Sequence, residues 1–355
     1  MPADSSPKKI LIVKLSAIGD VVLSTPVAEA LRRDFPDARI DWLVGRAASP
    51  LVEHNPYVDR IHAIDEHIFW RKRLVALASL FRMLRRERYD AAYILHWSPW
   101  FHLFFWLLGV PFRAGFARDG RSFKLTRARP YVEADAQRHD AAQYLSLVSD
   151  GARPERPRLF FSAEESGALD RLLRGRGADD LKRSVAIAPG GGNNPKLFMP
   201  QKRWPARYFS ELVRRLLVDS YTASIFVVGD ADERALLEAT IVDARVMIMA
   251  GTLSLRQTAL LIQRCGLFVG NDSGLTHVAA AVDVPTVAFF GPTSPAGKTP
   301  FWSPQSTLYA EEPCSPCYRY GYAPPCPYAL RCLETISPDQ AMAAIQKLRE
   351  ELAHA

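Results

Sequence analysis

The sequence predicts an α/β protein made of two doubly wound parallel sheets. Two predominantly apolar runs, KILIVKL at residues 9–15 and SVAIA at residues 184–188, each start at a basic pair and lead into a loop of small residues. Runs of this kind are typical of parallel strands, which are covered on both faces. Helical and strand patterns alternate after each run, and this alternation indicates a parallel sheet in each half.

The first half continues with a helix and further strands. A helical pattern over residues 21–35 follows the first apolar run. Strand patterns then recur at residues 39–44, 60–64 and 91–95.

The second half repeats this organisation. Pro205 suits the first position of a helix, where its missing N–H is not needed. Five apolar residues follow at helical spacing and predict a helix over residues 205–218: Phe209, Leu212, Val213, Leu216 and Leu217. Further strand patterns lie at residues 224–228, 246–249, 267–269 and 286–290.

The length and the linkers predict two domains. At about 100–200 residues per domain, a chain of 355 residues suggests two. A Pro/Arg-rich stretch at residues 151–158 and a Gly/Arg-rich stretch at residues 174–180 separate the halves. We therefore assign residues 1–165 and 180–335 to the two domains. Ligands bind beyond the carboxyl ends of the strands in such sheets, so two facing domains would share one cleft.

The composition is that of a soluble globular protein, with 48% hydrophobic and 23% charged residues. Disorder, collagen and coiled coil are therefore excluded as the main architecture. The apolar stretch at residues 97–110 is interrupted by Pro99 and His102 and is too short for a membrane span, which needs about 20 residues. Because the N-terminal residues lack the apolar region of a signal peptide, we expect a cytoplasmic protein.

The excess of positive charge lies in one segment. The chain carries 45 − 38 = +7, and residues 60–140 alone carry 15 basic and 8 acidic residues, also +7. A basic patch favours an anionic partner such as a phosphorylated substrate, an anionic lipid surface or nucleic acid. For residues 71–88, a solvated helix face explains the charges equally well.

The first candidate site motif is SAIGD, residues 16–20, after the first strand. Its small residues allow a tight turn and close approach to a ligand. Asp20 then falls at the start of a helix, where it could cap the first turn. Alternatively, a carboxylate held ionised there could act as a general base on an attacking hydroxyl.

The second motif is the loop PGGGNNPKLFMPQKRWP, residues 189–205. Its three glycines can present backbone N–H groups to a phosphate, and Lys196, Lys202 and Arg203 can add positive charge. It does not match the G-x-G-x-x-G of dinucleotide sites. A flexible connector is the alternative, and the position after a strand favours phosphate binding.

The third motif is GNDSGLTHVAAA, residues 270–281, between a strand and an Ala-rich helix. Asp272 or Ser273 could cap that helix, and Ser273, Gly274 and the helix start could form an anion site. His277 lies in the first turns and can face the same ligand.

Two other patterns do not indicate the sites that they resemble. GPTSPAGKT at residues 291–299 has five residues between its glycines instead of the four of a Walker A loop, and prolines follow it. The D-x-D at residues 230–232 more plausibly starts a helix than binds a metal, with Glu233 in its first turn.

The cysteines leave three interpretations open. Four of the five follow the pattern C-x2-C-x8-C-x5-C, namely Cys314, Cys317, Cys326 and Cys332. A metal site, free structural thiols, and a disulfide or redox pair all remain open. Cys265 ends a helical pattern and is expected in the core.

The aromatic stretch at residues 97–110 precedes a basic one that contains Arg118, Arg121, Lys124, Arg127 and Arg129. This combination suits a membrane interface or an acceptor with anionic groups and acyl chains. A buried helix is the alternative for the apolar part.

Together these motifs resemble glycosyltransferase family 9, the ADP-heptose:lipopolysaccharide heptosyltransferases. The resemblance covers most of the chain and is carried by ILIVKLSAIGDVVLSTPV, by PGGG with QKRWP, and by GNDSGLTHVAAAVDVPTVAFFGPTSP. It implies the GT-B fold, in which two Rossmann-like domains face a central cleft. The first domain would bind the acceptor and the second the nucleotide sugar. The closing helix, residues 336–355, would pack back toward the first domain.

The resemblance also implies residue roles. Asp20 would be the catalytic base, Lys202 a ligand of the donor phosphate, and Glu233 our candidate for the nucleotide ribose. The expected donor-binding residues are Ser16, Gly19, Gly191, Gly192, Lys202, Glu233, Asp272, Ser273, Gly274, Leu275 and His277. The expected acceptor-binding residues are Arg118, Arg121 and Lys124.

The sequence therefore predicts an inverting glycosyltransferase that needs neither a metal nor a cofactor. The resemblance implies transfer of heptose from an ADP-sugar to lipopolysaccharide or another anionic glycolipid, with peripheral contact at the cytoplasmic face of the inner membrane. A nucleotide-sugar epimerase of the same fold and a non-catalytic sugar-nucleotide-binding protein are the alternatives. Nucleic-acid binding ranks last, because no recognised motif accompanies the basic segment.

Overall fold

The computed structural model describes residues 7–71, 73–118, 122–131, 138–150, 155–174, 180–193, 198–238, 243–300, 302–319 and 321–354. The chain divides into two compact units, unit 1 at Met1–Phe160 and unit 2 at Phe161–Ala355. Each unit contains one parallel sheet and several helices, which confirms the predicted α/β class.

Unit 1 is built on a six-stranded sheet in the part of the chain that the structure describes. Its strands are β1 Lys9–Val13, β2 Arg39–Gly45, β3 Arg60–Ile64, β4 Ala91–Ile94, β5 Phe112–Ala117 and β6 Arg127–Pro130. Their order is β3-β2-β1-β4-β5-β6, and all neighbours are parallel. This is the Rossmann order, with the apolar strand β1 buried at the centre.

The described helices of unit 1 are α1 Ile18–Leu23, α2 Thr25–Asp34, α3 His67–Trp70, α4 Leu74–Glu87, α5 Pro99–Leu107 and α6 Asp140–Ser146. The single helix expected over residues 21–35 is wrong, since the chain forms two helices separated at Ser24. Pro26, in the first turn of α2, has no N–H to continue the hydrogen-bond ladder of α1.

Unit 2 repeats the sheet topology. Its described strands are β7 Val185–Ala188, β8 Ile225–Val227, β9 Val246–Ile248, β10 Leu267–Asn271, β11 Thr286–Phe290 and β12 Gln305–Tyr309. The order is β12-β11-β10-β7-β8-β9, all parallel, which is the order of unit 1 when the strands are numbered within the unit.

The described helices of unit 2 are α7 Ala163–Leu173, α8 Ala206–Val218, α9 Ala235–Glu238, α10 Leu255–Arg264, α11 Gly274–Ala281, α12 Pro295–Lys298, α13 Arg331–Glu334 and α14 Pro338–Ala353. Helix α8 confirms the predicted helix at residues 205–218, with its apolar stripe in the core. Helix α7 packs on α10, so the division between the units falls after Phe160.

Helix α14 closes unit 2. It packs against α8 and β12, and Ile345 and Leu348 are buried in the same core as Trp204. The N-cap of α14 is Ser337, which forms a reciprocal capping box with Gln340. The expected packing of this helix toward the first domain stays a prediction.

Among the described residues, no helix combines the length and apolarity that crossing a bilayer requires. The apolar stretch at residues 97–110 forms the nine-residue helix α5 instead. Phe101 and Phe105 of α5 are fully buried in the core of unit 1. The side of α5 that carries these two residues is therefore buried, as the alternative interpretation of this stretch expected.

Candidate active site

The predicted motifs lie where the strand order reverses in each sheet. This reversal falls between β1 and β4 in unit 1, and between β7 and β10 in unit 2. In doubly wound sheets, ligands bind beyond the carboxyl ends of the strands at this point. SAIGD follows β1, the glycine loop follows β7, and GNDSG spans the end of β10 and the start of α11.

The glycine loop after β7 has a conformation that needs glycine. Gly191 and Gly192 have φ angles of +112° and +74°, which residues with side chains rarely adopt. A Cβ on Gly191 would lie 2.8 Å from the Cβ of Ser273, and one on Gly192 would collide with the carbonyl oxygen of Met199. The loop backbone therefore passes close to the start of α11.

Glu233 holds this loop in place. Its carboxylate accepts hydrogen bonds from the backbone N–H groups of Gly191 and Asp230, the latter at 3.1 Å. Burial and the neighbouring Asp230 carboxylate raise the pKa of Glu233, although the Gly191 N–H opposes this. Arg203 donates to the carbonyl oxygen of Gly191 at 2.8 Å and lies 3.5 Å from Glu233. The ribose contact expected of Glu233 stays a prediction, whereas its observed partners make it a residue that shapes the loop.

Lys202 forms a buried ion pair with Asp272. The Lys202 Nζ lies 2.6 Å from Oδ2 of Asp272, which also accepts a hydrogen bond from the Thr293 hydroxyl at 2.6 Å. Burial alone would raise the pKa of Asp272, but Lys202 and Thr293 outweigh burial and lower it below its ordinary value. Asp272 therefore stays ionised and fixes the Lys202 ammonium, which also lies 5.5 Å from the centre of the Tyr318 ring.

The start of α11 completes the site in unit 2. Of the two predicted caps, Ser273 occupies the N-cap position, but its side chain makes no capping hydrogen bond. Gly274 and Leu275 form the first turn, where backbone N–H groups are available to an anion. His277 is buried and close enough to Asp272 to influence its pKa.

Sequence reasoning assigned no role to Asn271, which joins three segments of this site. Its side-chain Nδ2 donates to the carbonyl oxygens of Pro189 and Gly190, at 2.9 and 2.7 Å. Its Oδ1 accepts the backbone N–H of Trp204 at 2.8 Å. The signal available in the sequence was an asparagine just after an apolar strand run. In the structure its amide is fully buried, and a side chain that both donates and accepts is needed to satisfy these backbone groups.

In unit 1, Asp20 lies in the first turn of α1, at the carboxyl edge of the sheet. Ala17 and not Asp20 is the N-cap residue, so the capping interpretation of Asp20 is wrong. The Asp20 carboxylate is 30% exposed and accepts a hydrogen bond from Lys14 Nζ at 3.0 Å. Lys14 is only 5% exposed and also donates to the Tyr144 hydroxyl at 3.0 Å. A buried lysine thus orients a carboxylate that solvent can reach.

His96, which follows β4, fixes the start of the SAIGD loop. Its Nε2 accepts the backbone N–H of Leu15 at 3.0 Å, and its ring stacks on Phe101 with 4.4 Å between centroids. Sequence reasoning missed Lys14, His96 and Tyr144. Lys14 carried a signal, because a lysine inside an apolar strand run is rarely buried without a partner.

Of the expected acceptor residues, Arg118 lies at the same edge of the sheet as Asp20. Arg118 directly follows β5, and its guanidinium carbon lies 4.6 Å from the centre of the Trp97 ring. Trp97 follows β4 and is 6.4 Å from the Tyr131 ring. Arg121 lies outside the described residues, as does Lys196.

The structure places Lys124 at the opposite edge. Its carbonyl oxygen accepts a hydrogen bond from Arg113, near the start of β5, at 2.7 Å. Its Nζ lies 4.3 Å from the centre of the Trp106 ring, at the end of α5. Lys124 is therefore not brought together with Asp20.

The cysteines are free thiols in the structure. Burial raises the pKa of Cys332 to about 11 and that of Cys265 to about 12. Within the described ranges, no group of three or more His, Cys, Asp or Glu side chains is arranged to hold a metal ion. Asp230 of the D-x-D serves a turn, as its Oδ1 accepts the backbone N–H of Glu233 at 3.0 Å.

Two Rossmann-like units with small-residue loops at their switch points place the protein in the GT-B fold class. The chain belongs to glycosyltransferase family 9 (heptosyltransferase), whose sequence model matches residues 77–325.

Similar proteins extend this result over most of the chain. The sequence is 30% identical to "Lipopolysaccharide heptosyltransferase 2" of Salmonella typhimurium over 306 residues, 81% of this chain and 84% of that one. Among solved structures, that of Escherichia coli ADP-heptose lps heptosyltransferase II has a TM-score of 0.76 at 25% identity, covering 97% and 99% of the two chains. The Escherichia coli heptosyltransferase WaaC with ADP-2-deoxy-2-fluoro heptose has a TM-score of 0.67 at 20% identity, covering 96% and 99%, and shares the fold.

Proposed function

We propose that this protein is an inverting, metal-independent heptosyltransferase that moves heptose from ADP-heptose to the inner core of lipopolysaccharide. One observation carries the reaction type, namely a partly exposed Asp20 carboxylate fixed by the buried Lys14 at the switch point of unit 1. The names of the Salmonella and Escherichia coli relatives support the choice of donor and acceptor.

Unit 2 would hold the donor diphosphate. The glycine loop and the first turn of α11 meet at Gly191 and Ser273, so both can direct backbone N–H groups at one anion. The Lys202 ammonium, fixed by Asp272, adds a positive charge. These groups would stabilise the negative charge that develops on the departing ADP. Because a divalent cation would stabilise the same charge, none is required in this proposal.

The chemical step in this proposal is a single displacement. Asp20 accepts the proton of an acceptor hydroxyl while the hydroxyl oxygen forms a bond to the anomeric carbon of the heptose. The bond from that carbon to the ADP phosphate oxygen breaks, and ADP leaves with its electron pair. Attack from the face opposite the leaving group inverts the anomeric configuration. Lys14 donates to the Asp20 carboxylate at 3.0 Å and so holds the base in a fixed orientation.

The acceptor would bind to unit 1. Arg118 at the carboxyl edge of the sheet offers a cation beside an aromatic platform, which suits the anionic sugars of an inner core. Because such an acceptor carries acyl chains, the protein would bind peripherally at the cytoplasmic face of the inner membrane.

A product analysis tests the function. The protein is incubated with ADP-heptose and a heptose-deficient core acceptor in the presence of EDTA. We expect ADP and a glycoside whose anomeric configuration is opposite to that of the donor. Retained configuration would contradict the single displacement, and activity that EDTA abolishes and Mg²⁺ restores would contradict metal independence. Conversion of the donor without any acceptor would favour an epimerase.

A further inference from the structure

Helix α5 exposes large apolar side chains on the flank of unit 1. Trp100, Trp106 and Leu107 are 64%, 41% and 52% exposed. With the half-buried Leu103 they lie on one side of the helix, since positions 100, 103 and 107 follow the i, i+3, i+7 spacing and 106 borders them. The opposite side of α5 is buried in the core, so this apolar stripe is additional to the one that folding needs.

The segments next to α5 carry further exposed apolar side chains. Helix α4 lies beside α5, because the Phe81 and Phe104 rings are 5.7 Å apart and Arg85 donates to the carbonyl oxygen of Leu107 at 3.3 Å. Three further exposed apolar residues belong to α4 and to the segment before β6: Leu74, Val75 and Phe123. Phe123 lies near α5, because the Lys124 Nζ is 5.5 Å from the centre of the Phe123 ring and 4.3 Å from that of Trp106. A group of exposed large apolar side chains is unusual for a surface that meets only water.

The same surface is strongly basic. Residues 71–88 contain seven Arg or Lys and one acidic residue, Glu87, which is turned toward the sheet and lies 2.9 Å from Arg39. Arg82 and Arg86 are exposed and form no ion pair with any described residue. No carboxylate occurs in the sequence between Asp90 and Asp119.

We propose that this aromatic–basic face, formed by the outward sides of α4 and α5 with residues 122–124, docks onto an anionic phospholipid bilayer. Exposed tryptophans beside arginine and lysine are typical of helices that lie in the membrane interface. The cations are complementary to acidic headgroups, and Lys124 held over Trp106 pairs one headgroup-binding charge with an aromatic anchor. At nine residues α5 is too short to cross the bilayer and would lie along its surface.

The face also leads to the edge of unit 1 that carries Asp20. Helix α5 follows β4, so Trp100 at its amino end lies at the carboxyl edge of the sheet. A docked face would therefore keep that edge near the lipid surface. That this edge receives a lipid-linked acceptor rests on the proposed function. Lipid binding itself does not, because it is measured without any substrate.

Vesicle sedimentation tests the proposal. The full-length protein is mixed with vesicles of phosphatidylcholine and phosphatidylglycerol in equal parts, and with vesicles of phosphatidylcholine alone. We expect binding to the anionic vesicles that weakens as salt rises. The triple variant Trp100→Ser, Trp106→Ser, Leu107→Ser should bind at least about tenfold more weakly, because it lacks the inserting side chains. Arg82→Glu with Arg86→Glu should bind less well to the anionic vesicles.

The controls separate lipid binding from folding and from catalysis. Val218→Ser removes an even more exposed apolar side chain, 87% exposed, from unit 2 and should bind as the wild type does. The triple variant should keep the wild-type melting temperature and transfer sugar normally to an acceptor without acyl chains. If the wild type fails to bind anionic vesicles, or the triple variant binds them equally well, the proposal is wrong. A dimer that the triple variant dissociates, with unchanged vesicle binding, would identify a self-association surface instead. Lipid binding without any sugar transfer would refute the proposed function alone.

Discussion

At the scale of single residues, each unit contains one lysine–aspartate ion pair at its site. The two pairs differ in which partner is the more exposed to solvent. In unit 1 the lysine of the Lys14–Asp20 pair is buried and the carboxylate is partly exposed. In unit 2 the carboxylate of the Lys202–Asp272 pair is almost completely buried, and the lysine is the more exposed partner. The exposed partner is the one that can meet a ligand, so Asp20 suits a base and Lys202 suits a phosphate ligand.

Removing Lys202 should affect both stability and donor binding. Lys202→Met leaves the buried Asp272 carboxylate without its cation, and breaking a buried pair in this way costs about 3–5 kcal/mol. Urea unfolding measures this loss, and calorimetry should show weaker ADP binding. Adding Asp272→Asn to Lys202→Met should restore part of the stability but not the ADP affinity. Unchanged ADP binding in both variants would refute the role of Lys202.

Acid should weaken the contribution of Asp272 to stability. Because the pKa of Asp272 is lower in the folded protein than in the unfolded chain, the unfolded state binds more protons as the pH falls. The stabilisation is present above the ordinary carboxyl pKa and is lost as the pH drops through it toward the lower folded value. Urea unfolding across that range should show a smaller acid-side loss for Asp272→Asn than for the wild type. Equal losses would show that another carboxylate is responsible.

The positions of single site residues were predictable only where a local motif contains them. Asp20, Lys202 and Asp272 stand in motifs whose position after a strand points to a ligand. The Tyr144 contact of Lys14 joins residues 130 positions apart, so it depends on the packing of α6 and could not be predicted from local sequence. For Glu233 the sequence predicted proximity to the site but not its hydrogen bond to the Gly191 N–H.

At the scale of elements, strong apolar patterns predicted structure and weak ones did not. Strands β1 and β7 are continuous apolar runs at sheet centres, and both were predicted. Strands β5, β6 and β12 were missed. The four residues of β6, RARP, form a sheet edge where two residues are partly buried and two are exposed, so no apolar run marks them. Strand β12 is a second edge whose side chains are only partly buried. Strand β5 is largely buried and was missed because Arg113 and Gly115 interrupt its apolar pattern.

The glycine loop gives a prediction about an element. Gly192→Ala combines a positive φ with a collision against Met199, so it should cost about 1–3 kcal/mol and weaken ADP binding by distorting the loop. Gly167→Ala in helix α7 is the matched control, because its Cβ would meet only Arg171 at 3.6 Å. We expect this control to bind ADP normally and to gain about 0.5–1 kcal/mol. Normal ADP binding by the Gly192 variant would show that the loop does not contribute.

At the scale of the whole molecule, the two units share a fold but differ in net charge. Residues 60–140 of unit 1 carry the whole net charge of +7, and the rest of the chain is neutral. Both units use the same strand order and place their motifs at the same switch point. The sequence could predict this pair of Rossmann-like units, because each half repeats the strand–loop–helix pattern. The partners that fix Asp20 and the glycine loop required the folded structure.

Salt should distinguish the two substrates. An anionic acceptor attracted by the basic segment should show a KM that rises with ionic strength, because salt screens exposed charges. The KM for ADP-heptose should change less, since Lys202 is largely buried against Asp272. Initial rates with a water-soluble acceptor measure both constants. Equal salt dependence of the two would argue that the basic segment does not recruit the acceptor.

The most direct test of the account is the transfer rate of Asp20→Asn, measured together with its affinity for ADP-heptose. The amide keeps the size of the carboxylate but cannot accept the proton, so kcat should fall by about 10²- to 10⁴-fold while donor affinity stays unchanged. Asp34→Asn, which alters an exposed carboxylate at the end of α2, should keep wild-type kcat. Transfer by Asp20→Asn at the wild-type rate would contradict the assignment of Asp20 as the base.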